Sequence, residues 1–394
     1  MDPAPGRFAL FAYGFRPFFL GAGLSAALAV PAWLLIYAHG SMPLRALPPH
    51  LWHAHEMLYG FVVAALAGFL LTAVPSWTGA KGFAGWPLAA LTSVWLLGRL
   101  AFAFANLVPL WALTTVELAF LPGLAILLAP PLVRSQNRNT PLLFVLAALW
   151  VADAAFLTGL AWQSPGVASR SMLIAIDLML LVVTVIGGRI VPSFTANALR
   201  RRGEAPEIRG LPWLERGVIA LMAVVILVDL WRPDGPAAGW LAALVAVAQA
   251  WRLSGWRSMR ARGEPILWVL HLGYAWIPVG FALKALWLLA DAGWSAHWVH
   301  ALTMGTFGTM ILAVTTRAAL GHTGRPLTVG RSIATAYVLL TLGVVTRVFA
   351  PSLWPSHHLW TLLVSGSLWS AAFALYLIVY TPILMLARAD GKPG

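Results

Sequence analysis

The sequence predicts an all-α integral membrane protein: a polytopic bundle of about twelve transmembrane helices, with both termini in the cytoplasm. Of the 394 residues, 60% are hydrophobic and only 10% are charged, whereas a soluble domain carries roughly 25% charged residues. The apolar residues fall into runs close to the roughly 20 residues that a helix needs to cross a bilayer. The chain also has 21 Trp and 7 Tyr, whose amphipathic rings favour membrane interfaces.

Twelve apolar runs account for most of the chain, and Pro or Gly lies in most of the connections between them. We expect helices at residues 18–38, 53–75, 86–106, 110–131, 141–161, 170–194, 213–231, 237–254, 265–290, 297–319, 331–350 and 358–386. The seventh and eighth runs are short, and only the sequence RPDGP (residues 232–236) separates them. Because no soluble domain fits between any two runs, we expect a single transmembrane domain over residues 1–394.

The distribution of Lys and Arg sets the predicted orientation, since cytoplasmic loops carry an excess of both. Eighteen of the 26 lie in the predicted inner segments: Arg7, Arg16, Lys81, Arg134, Arg138, Arg200, Arg201, Arg202, Arg209, Arg216, Arg252, Arg257, Arg260, Arg262, Arg325, Arg331, Arg388 and Lys392. The outer loops hold three, Arg45, Arg170 and Arg232. The other five lie in helices or at their ends: Arg99, Arg189, Lys284, Arg317 and Arg347. We therefore attribute the net charge of +13 to membrane topology and expect no nucleic-acid partner.

The residue types that are missing restrict the chemistry. The chain has no Cys, which excludes disulfides, thiolate copper sites, iron–sulfur clusters and covalently attached haem. A metal would be held by His, Met, carboxylate or backbone groups, and a haem would be bound non-covalently. The sequence also contains no Walker A, G-x-G-x-x-G or H-E-x-x-H motif.

The histidines concentrate at the predicted outer ends of the helices. Eight of the ten lie there: His39, His50, His53, His55, His297, His300, His357 and His358. His271 lies inside the ninth helix, and His322 follows the inner end of the tenth. Imidazoles from separate helices at one face are what a haem or copper site needs. The simpler interpretation, a polar residue at headgroup level, applies best to His39, His50, His357 and His358.

The densest cluster is the run WHAHEM at residues 52–57. On a regular helix His53 and His55 point about 200° apart, so the two imidazoles cannot bind one metal. His53 and Met57 are four residues apart and share a helix face, and His with Met is a known axial pair for haem. Glu56 could orient a ligating imidazole. The same His–Met spacing recurs at residues 300 and 304.

Several charged residues fall within the predicted spans, where ionisable groups are costly and usually paired. Three acids are among them, Glu117, Asp153 and Asp177. Arg99 and Asp153 lie at similar depth, so we expect them to pair, either as a structural ion pair or in a proton path or haem-propionate clamp. Two inner stretches place Arg beside Gly, Pro and hydroxyl residues: 187–195, with Arg189, and 316–326, with Arg317. Each fits either a helix stop or a pocket for an anion.

Five segments together resemble the NnrS family: residues 14–19, 52–57, 68–79, 188–192 and 317–326. The resemblance covers essentially the whole chain. It implies a multi-pass protein of the bacterial inner membrane that binds haem and copper. It also implies a link to nitric oxide metabolism and protection from nitrosative stress, often in denitrifying bacteria.

The family's metal-site positions correspond by this resemblance to the HAHE motif at residues 53–56, His271, His300 and His322. We expect haem b near the outer side, with His53 or His55 and His300 as axial ligands. The second imidazole of the motif, with Met57 or Glu56, is the candidate for copper. His271 would serve a separate, buried site, and Arg189 and Arg317 would contact haem propionates or structural anions.

Three functions fit these residues. The first is a haem- and copper-binding protein of nitric oxide defence, which as an enzyme would be an oxidoreductase acting on nitric oxide with an electron donor that the sequence does not identify. The second is a transporter of a metal or metal–nitrosyl species, with Glu117, Asp153 and Asp177 as proton sites. The third is a haem-based sensor of nitric oxide, or a scaffold, without turnover. In each case membrane lipid surrounds the protein.

Overall fold

A computed structural model describes residues 8–39, 48–206, 208 and 210–392. Arg7, Arg45 and Arg209, which entered the charge count, lie outside these residues, as does the side chain of His39. The described residues form helices and connections without any strand, and one isolated backbone bridge joins Phe8 to Leu386. The predicted all-α class is therefore confirmed.

Twelve long helices follow one another within the described residues, and each overlaps one predicted apolar run. They are α1 Phe15–His39, α2 Pro49–Thr78, α3 Trp86–Ala103, α4 Leu110–Arg134, α5 Leu142–Ala161, α6 Pro165–Arg201, α7 Pro212–Trp231, α8 Pro236–Ser254, α9 Pro265–Ala290, α10 Gly293–His322, α11 Arg331–Leu353 and α12 Pro355–Met385. Pro occupies the first turn of several of them, where its missing N–H breaks no helical hydrogen bond.

Ten of these helices are long and apolar enough to cross a membrane, and α7 and α8 are the two that are not. The reason in α7 is its three charged residues, Glu215, Arg216 and Asp229, while α8 includes Gln249 and Arg252. A helical, multi-pass membrane fold is thus supported by the structure. Twelve crossings and two cytoplasmic termini stay predictions.

Two helices change their hydrogen-bond register partway along. A π-helical turn occupies Glu56–Val62 in α2, and a second occupies Ala301–Gly308 in α10. Each begins directly after a predicted ligand, His55 in the first case and His300 in the second. π-Helical turns are uncommon and are frequently found at functional sites.

The chain divides into two compact units. The first comprises Met1–Ala175, Ala318–Pro326 and Phe373–Gly394, and the second comprises Ile176–Arg317 and Leu327–Ala372. Within the first unit α1 packs on α2, and α4 packs on both α3 and α5. Within the second, α9 packs on α8 and on the π-helical turn of α10. The single transmembrane domain stays a prediction.

Candidate functional site

His55 is fully buried and lies at the centre of a polar cluster in the first unit. Its Nδ1 is 3.3 Å from Glu56 Oε1, and its Nε2 is 3.1 Å from Asp153 Oδ1 and 3.8 Å from Glu117 Oε1. With Arg99, these residues form what we call the His55 cluster. Because α2, α3, α4 and α5 each contribute to it, the cluster exists only when these helices are packed together.

Arg99 connects two of the three acids. Its guanidinium donates to Glu56 Oε1 at 2.5 Å and to Glu117. The sequence-based pairing of Arg99 with Asp153 is therefore corrected: Asp153 joins the cluster through His55 instead. Depth in the membrane does not determine which of the three acids binds Arg99. That depends on how each helix is rotated about its axis.

Aromatic rings enclose the His55 imidazole. The ring of Phe102 stacks on it with centroids 4.1 Å apart, and those of Phe156 and Tyr59 lie 4.8 and 5.0 Å away. Such walls exclude water, so each charge inside the cluster interacts strongly with its neighbours and is costly to leave unbalanced.

The charges of the His55 cluster do not balance within it. Three carboxylates face one guanidinium, so neutrality requires two more positive charges. A divalent cation on a neutral imidazole supplies both, as would two protons. The other carboxylate oxygen of Glu117, Oε2, is buried without a hydrogen-bond partner among the described residues and lies against Gly98.

Three residues of the cluster could hold a metal ion. His55, Glu117 and Asp153 each offer one ligand atom, and these atoms lie within 4.8 Å of one another. All three residues are buried. Imidazole with carboxylates suits zinc, iron, manganese and Cu(II), whereas Cu(I) prefers thioether or thiolate. The donor set therefore fits a divalent transition metal, including the oxidised form of copper.

His53 meets different neighbours from His55, as the helix geometry predicts. It is half-buried, and its ring lies against Trp33 of α1, with centroids 4.6 Å apart. Met57 is also half-buried, but it falls in the π-helical turn, so the regular helix face that it was expected to share with His53 is interrupted.

His300 lies in the second unit and is half-buried. Its ring is 6.3 Å from that of His297, centroid to centroid. The terminal methyl group of Met304 packs close to Gly343 of α11, so this methionine has a packing role. Within the second unit, His297 therefore supplies a second imidazole near His300.

His271 has both ring nitrogens satisfied by hydroxyl groups. Nε2 lies 2.8 Å from Thr195 Oγ1, and Nδ1 lies 2.9 Å from Ser258 Oγ. Thr195 donates its own hydrogen to the carbonyl of Val191, so it accepts from Nε2–H, and Ser258 donates to Nδ1. This is the arrangement of a neutral, structural histidine, and a metal would have to displace one hydroxyl. Metal binding by His271 stays a prediction.

The predicted anion contacts differ in environment. Arg189 is exposed, whereas Arg317 is buried with its guanidinium 4.0 Å from the ring centroid of Phe194. On α10, Arg317 lies 17 residues beyond His300, on the order of 25 Å along the axis. Arg317 is therefore too far away to contact a propionate of a haem bound by His300. His322, at the same end of α10, packs against Tyr13 and Phe15.

A buried ion pair in the second unit was not predicted from the sequence. Asp229 was not singled out, and Lys284 was noted only as a charge within a span, yet the two form a buried ion pair in the structure. The available signal was a charge near the end of each of two apolar runs. Nothing in the sequence indicated that these charges would meet.

Among protein families, the model described as NnrS protein matches residues 9–388, nearly the whole chain. No curated protein matches the chain.

Proposed function

The chain belongs to the NnrS protein family, and from that premise we propose that it is a haem- and copper-binding protein of the bacterial inner membrane. Its proposed role is in nitric oxide metabolism or in defence against nitrosative stress. The observation that supports metal binding best is the His55 cluster, in which a buried set of acids is two positive charges short of neutrality.

We assign the non-haem metal to His55, Glu117 and Asp153. A bound copper ion would supply a Lewis-acidic, redox-active centre. With a metal on Nε2, the Nδ1–H of His55 would donate to Glu56, whose Oε1 lies 3.3 Å away, and this hydrogen bond would orient the imidazole. Arg99 holds the carboxylates of Glu56 and Glu117 in place and offsets part of their charge.

Haem ligation is proposed for His53 in the first unit and for His300 in the second. Both imidazoles are half-buried, so each retains access to a ligand. His55 is the weaker candidate of the motif because its two nitrogens already face carboxylates. An apolar surrounding would tune a haem's potential and admit a small neutral gas such as nitric oxide.

The test is to measure haem and metal content separately in purified protein. Cells are supplied with haem and copper, and the protein is analysed by its dithionite-reduced spectrum, pyridine haemochrome and elemental analysis. We expect His53→Ala or His300→Ala to lose haem while the non-haem metal is retained. Asp153→Asn should lower metal affinity about 10- to 100-fold or more and retain haem. His357→Ala, an exposed histidine, is the control.

Two results would contradict the proposal. If the purified wild-type protein contained neither haem nor metal, the proposed function would be contradicted. Full metal content in Asp153→Asn would leave the function standing but exclude the His55 cluster as the metal site.

A further inference from the structure

A pocket of about 530 Å³ lies in the first unit, where α2 and α4 end. Lys81 lines it from the connection that follows α2, and Arg134 lines it from the last residue of α4. Both helices are long and apolar enough to cross a membrane, and so is α3 between them. The ends of α2 and α4 therefore lie at the same face of the membrane. We call this cavity the Lys81 pocket.

The Lys81 pocket lies at the depth of the lipid headgroups. The apolar spans end at Thr78 in α2 and at Arg134 in α4. Trp86, the first residue of α3, is exposed, and Trp side chains favour the membrane interface. On α4, Ile126 and Val133 are exposed, so this part of the helix surface contacts acyl chains. The pocket thus lies where a lipid's acyl chains meet its headgroup.

The walls of the pocket combine apolar and cationic groups. Phe83, Leu127 and Pro130 supply apolar surface, whereas Lys81 and Arg134 supply an ammonium and a guanidinium group. A ligand with an anionic head and an apolar tail would contact both kinds of wall. A free phosphate ion would leave the apolar wall against water, which is unfavourable.

The two cations of the pocket have no acid to neutralise them. Both are exposed, and neither forms an ion pair with any of the described residues. From Glu56 to Asp153 the only acid in between is Glu117, and all three carboxylates belong to the buried His55 cluster. An anionic group in the pocket would therefore meet two unopposed positive charges.

Hydrogen bonds hold the helix ends at the pocket together. The side-chain amide of Asn137 donates to the carbonyl of Trp77 at 2.9 Å. The hydroxyl groups of Thr78 and Ser135 each donate at 2.8 Å to the carbonyl four residues earlier in their helices. These bonds satisfy carbonyl oxygens at the negative ends of the helix dipoles, which would otherwise repel an anion. Gly79, with φ of 70°, permits the sharp turn that ends α2.

We propose that the Lys81 pocket binds an anionic phospholipid. The headgroup phosphate lies between Lys81 and Arg134, and an acyl chain lies along Leu127 and Pro130. Basic pockets at the ends of transmembrane helices recognise anionic headgroups in this way. An excess of cations that serves only to orient the protein needs no pocket and no adjoining apolar wall. The proposal does not depend on haem or copper binding.

Native mass spectrometry of the full-length, delipidated protein in detergent tests the site. The probes are phosphatidylglycerol and phosphatidylcholine with the same acyl chains, and we expect tighter binding of phosphatidylglycerol. Each cation contributes about fivefold in affinity. Lys81→Gln and Arg134→Gln should each weaken phosphatidylglycerol binding by that factor, and the double variant by about 30-fold. Arg138→Gln is the matched control, because Arg138 is an exposed cation of the same connection that does not line the pocket.

A second variant tests the pocket without changing its charge. Ala80 lines the pocket, and Ala80→Trp should fill it and abolish the preference for phosphatidylglycerol. If that variant does not fold, the charge variants still decide. Inorganic phosphate at matched ionic strength should not displace the lipid. Three results would overturn the proposal: equal affinity for both lipids in the wild type, equal losses in Arg138→Gln and Arg134→Gln, or displacement of the lipid by phosphate.

Discussion

At the scale of single residues, the environments of His53 and His55 differ although only Ala54 separates them. One imidazole packs against a tryptophan ring, and the other is surrounded by three carboxylates. The helix sets this difference, because side chains two positions apart point to opposite sides. We therefore expect the two histidines to have separable functions.

Gly98 provides the space that Glu117 occupies, since a Cβ at residue 98 would overlap Glu117 Oε2. We expect Gly98→Ala to displace this carboxylate, to lower the free energy of unfolding by about 1–3 kcal/mol and to reduce the non-haem metal content. Thermal unfolding in detergent and elemental analysis measure the two effects.

Gly217 of α7 is the matched control for this substitution, because a Cβ there meets open space. Gly217→Ala should leave the metal content unchanged and should not destabilise the protein. If Gly98→Ala kept its full metal content, Glu117 would not be a ligand.

At the scale of elements, the two π-helical turns are the main departures from regular helix geometry. Both Glu56–Val62 and Ala301–Gly308 start next to a histidine that the family resemblance marks as a metal-site position. A π-helical turn contains more residues per turn than an α-helix, so it rotates the preceding histidine relative to the rest of its helix. We infer that the turn in α2 sets the direction in which His55 points.

Deletion of Leu58, within the π-helical turn of α2, tests this inference. The turn should revert to α-helix, and the short segment Pro49–His55 should rotate relative to Val63–Thr78. We expect a protein that still assembles but binds little metal. Deletion of Ala67, in the regular part of α2, should instead reduce the yield of assembled protein in size-exclusion chromatography. Normal metal content after deletion of Leu58 would show that the turn does not position His55.

At the scale of the whole molecule, the orientation in the membrane depends on α7 and α8. These two helices match the predicted seventh and eighth spans. By length and composition alone, however, they are not apolar enough to cross a membrane, whereas the other ten are. Their Asp229, Gln249 and Arg252 are nevertheless buried within the second unit. Polar residues that other helices cover are tolerated in a membrane, so we keep the prediction of twelve crossings.

Reporter fusions distinguish twelve crossings from ten. The connection between α7 and α8 contains Asp234, and a reporter inserted there should be periplasmic if both helices cross the membrane. Reporters after Gly203 and at Lys392 should be cytoplasmic whether the protein has ten or twelve crossings, so they serve as controls. Alkaline phosphatase and green fluorescent protein activities measure the two locations. A cytoplasmic reporter at Asp234 would reduce the count to ten.

The sequence by itself determined the class of the protein and the positions of its helices. All twelve predicted runs are helical in the structure, because the length and composition of an apolar run are local properties that directly reflect the thickness and polarity of a bilayer. The opposite directions of His53 and His55 were also predictable, since they follow from the helix period alone.

Only the tertiary structure decided which charged groups meet. His55 contacts Asp153, which is 98 residues away in the chain, and Arg99 contacts Glu56, which is 43 residues away. Such pairs depend on how whole helices rotate and pack against each other. The amino-acid composition of a helix does not determine this. The same reason applies to Lys284 with Asp229 and to the π-helical turns, whose hydrogen-bond register is set by packing against neighbouring helices.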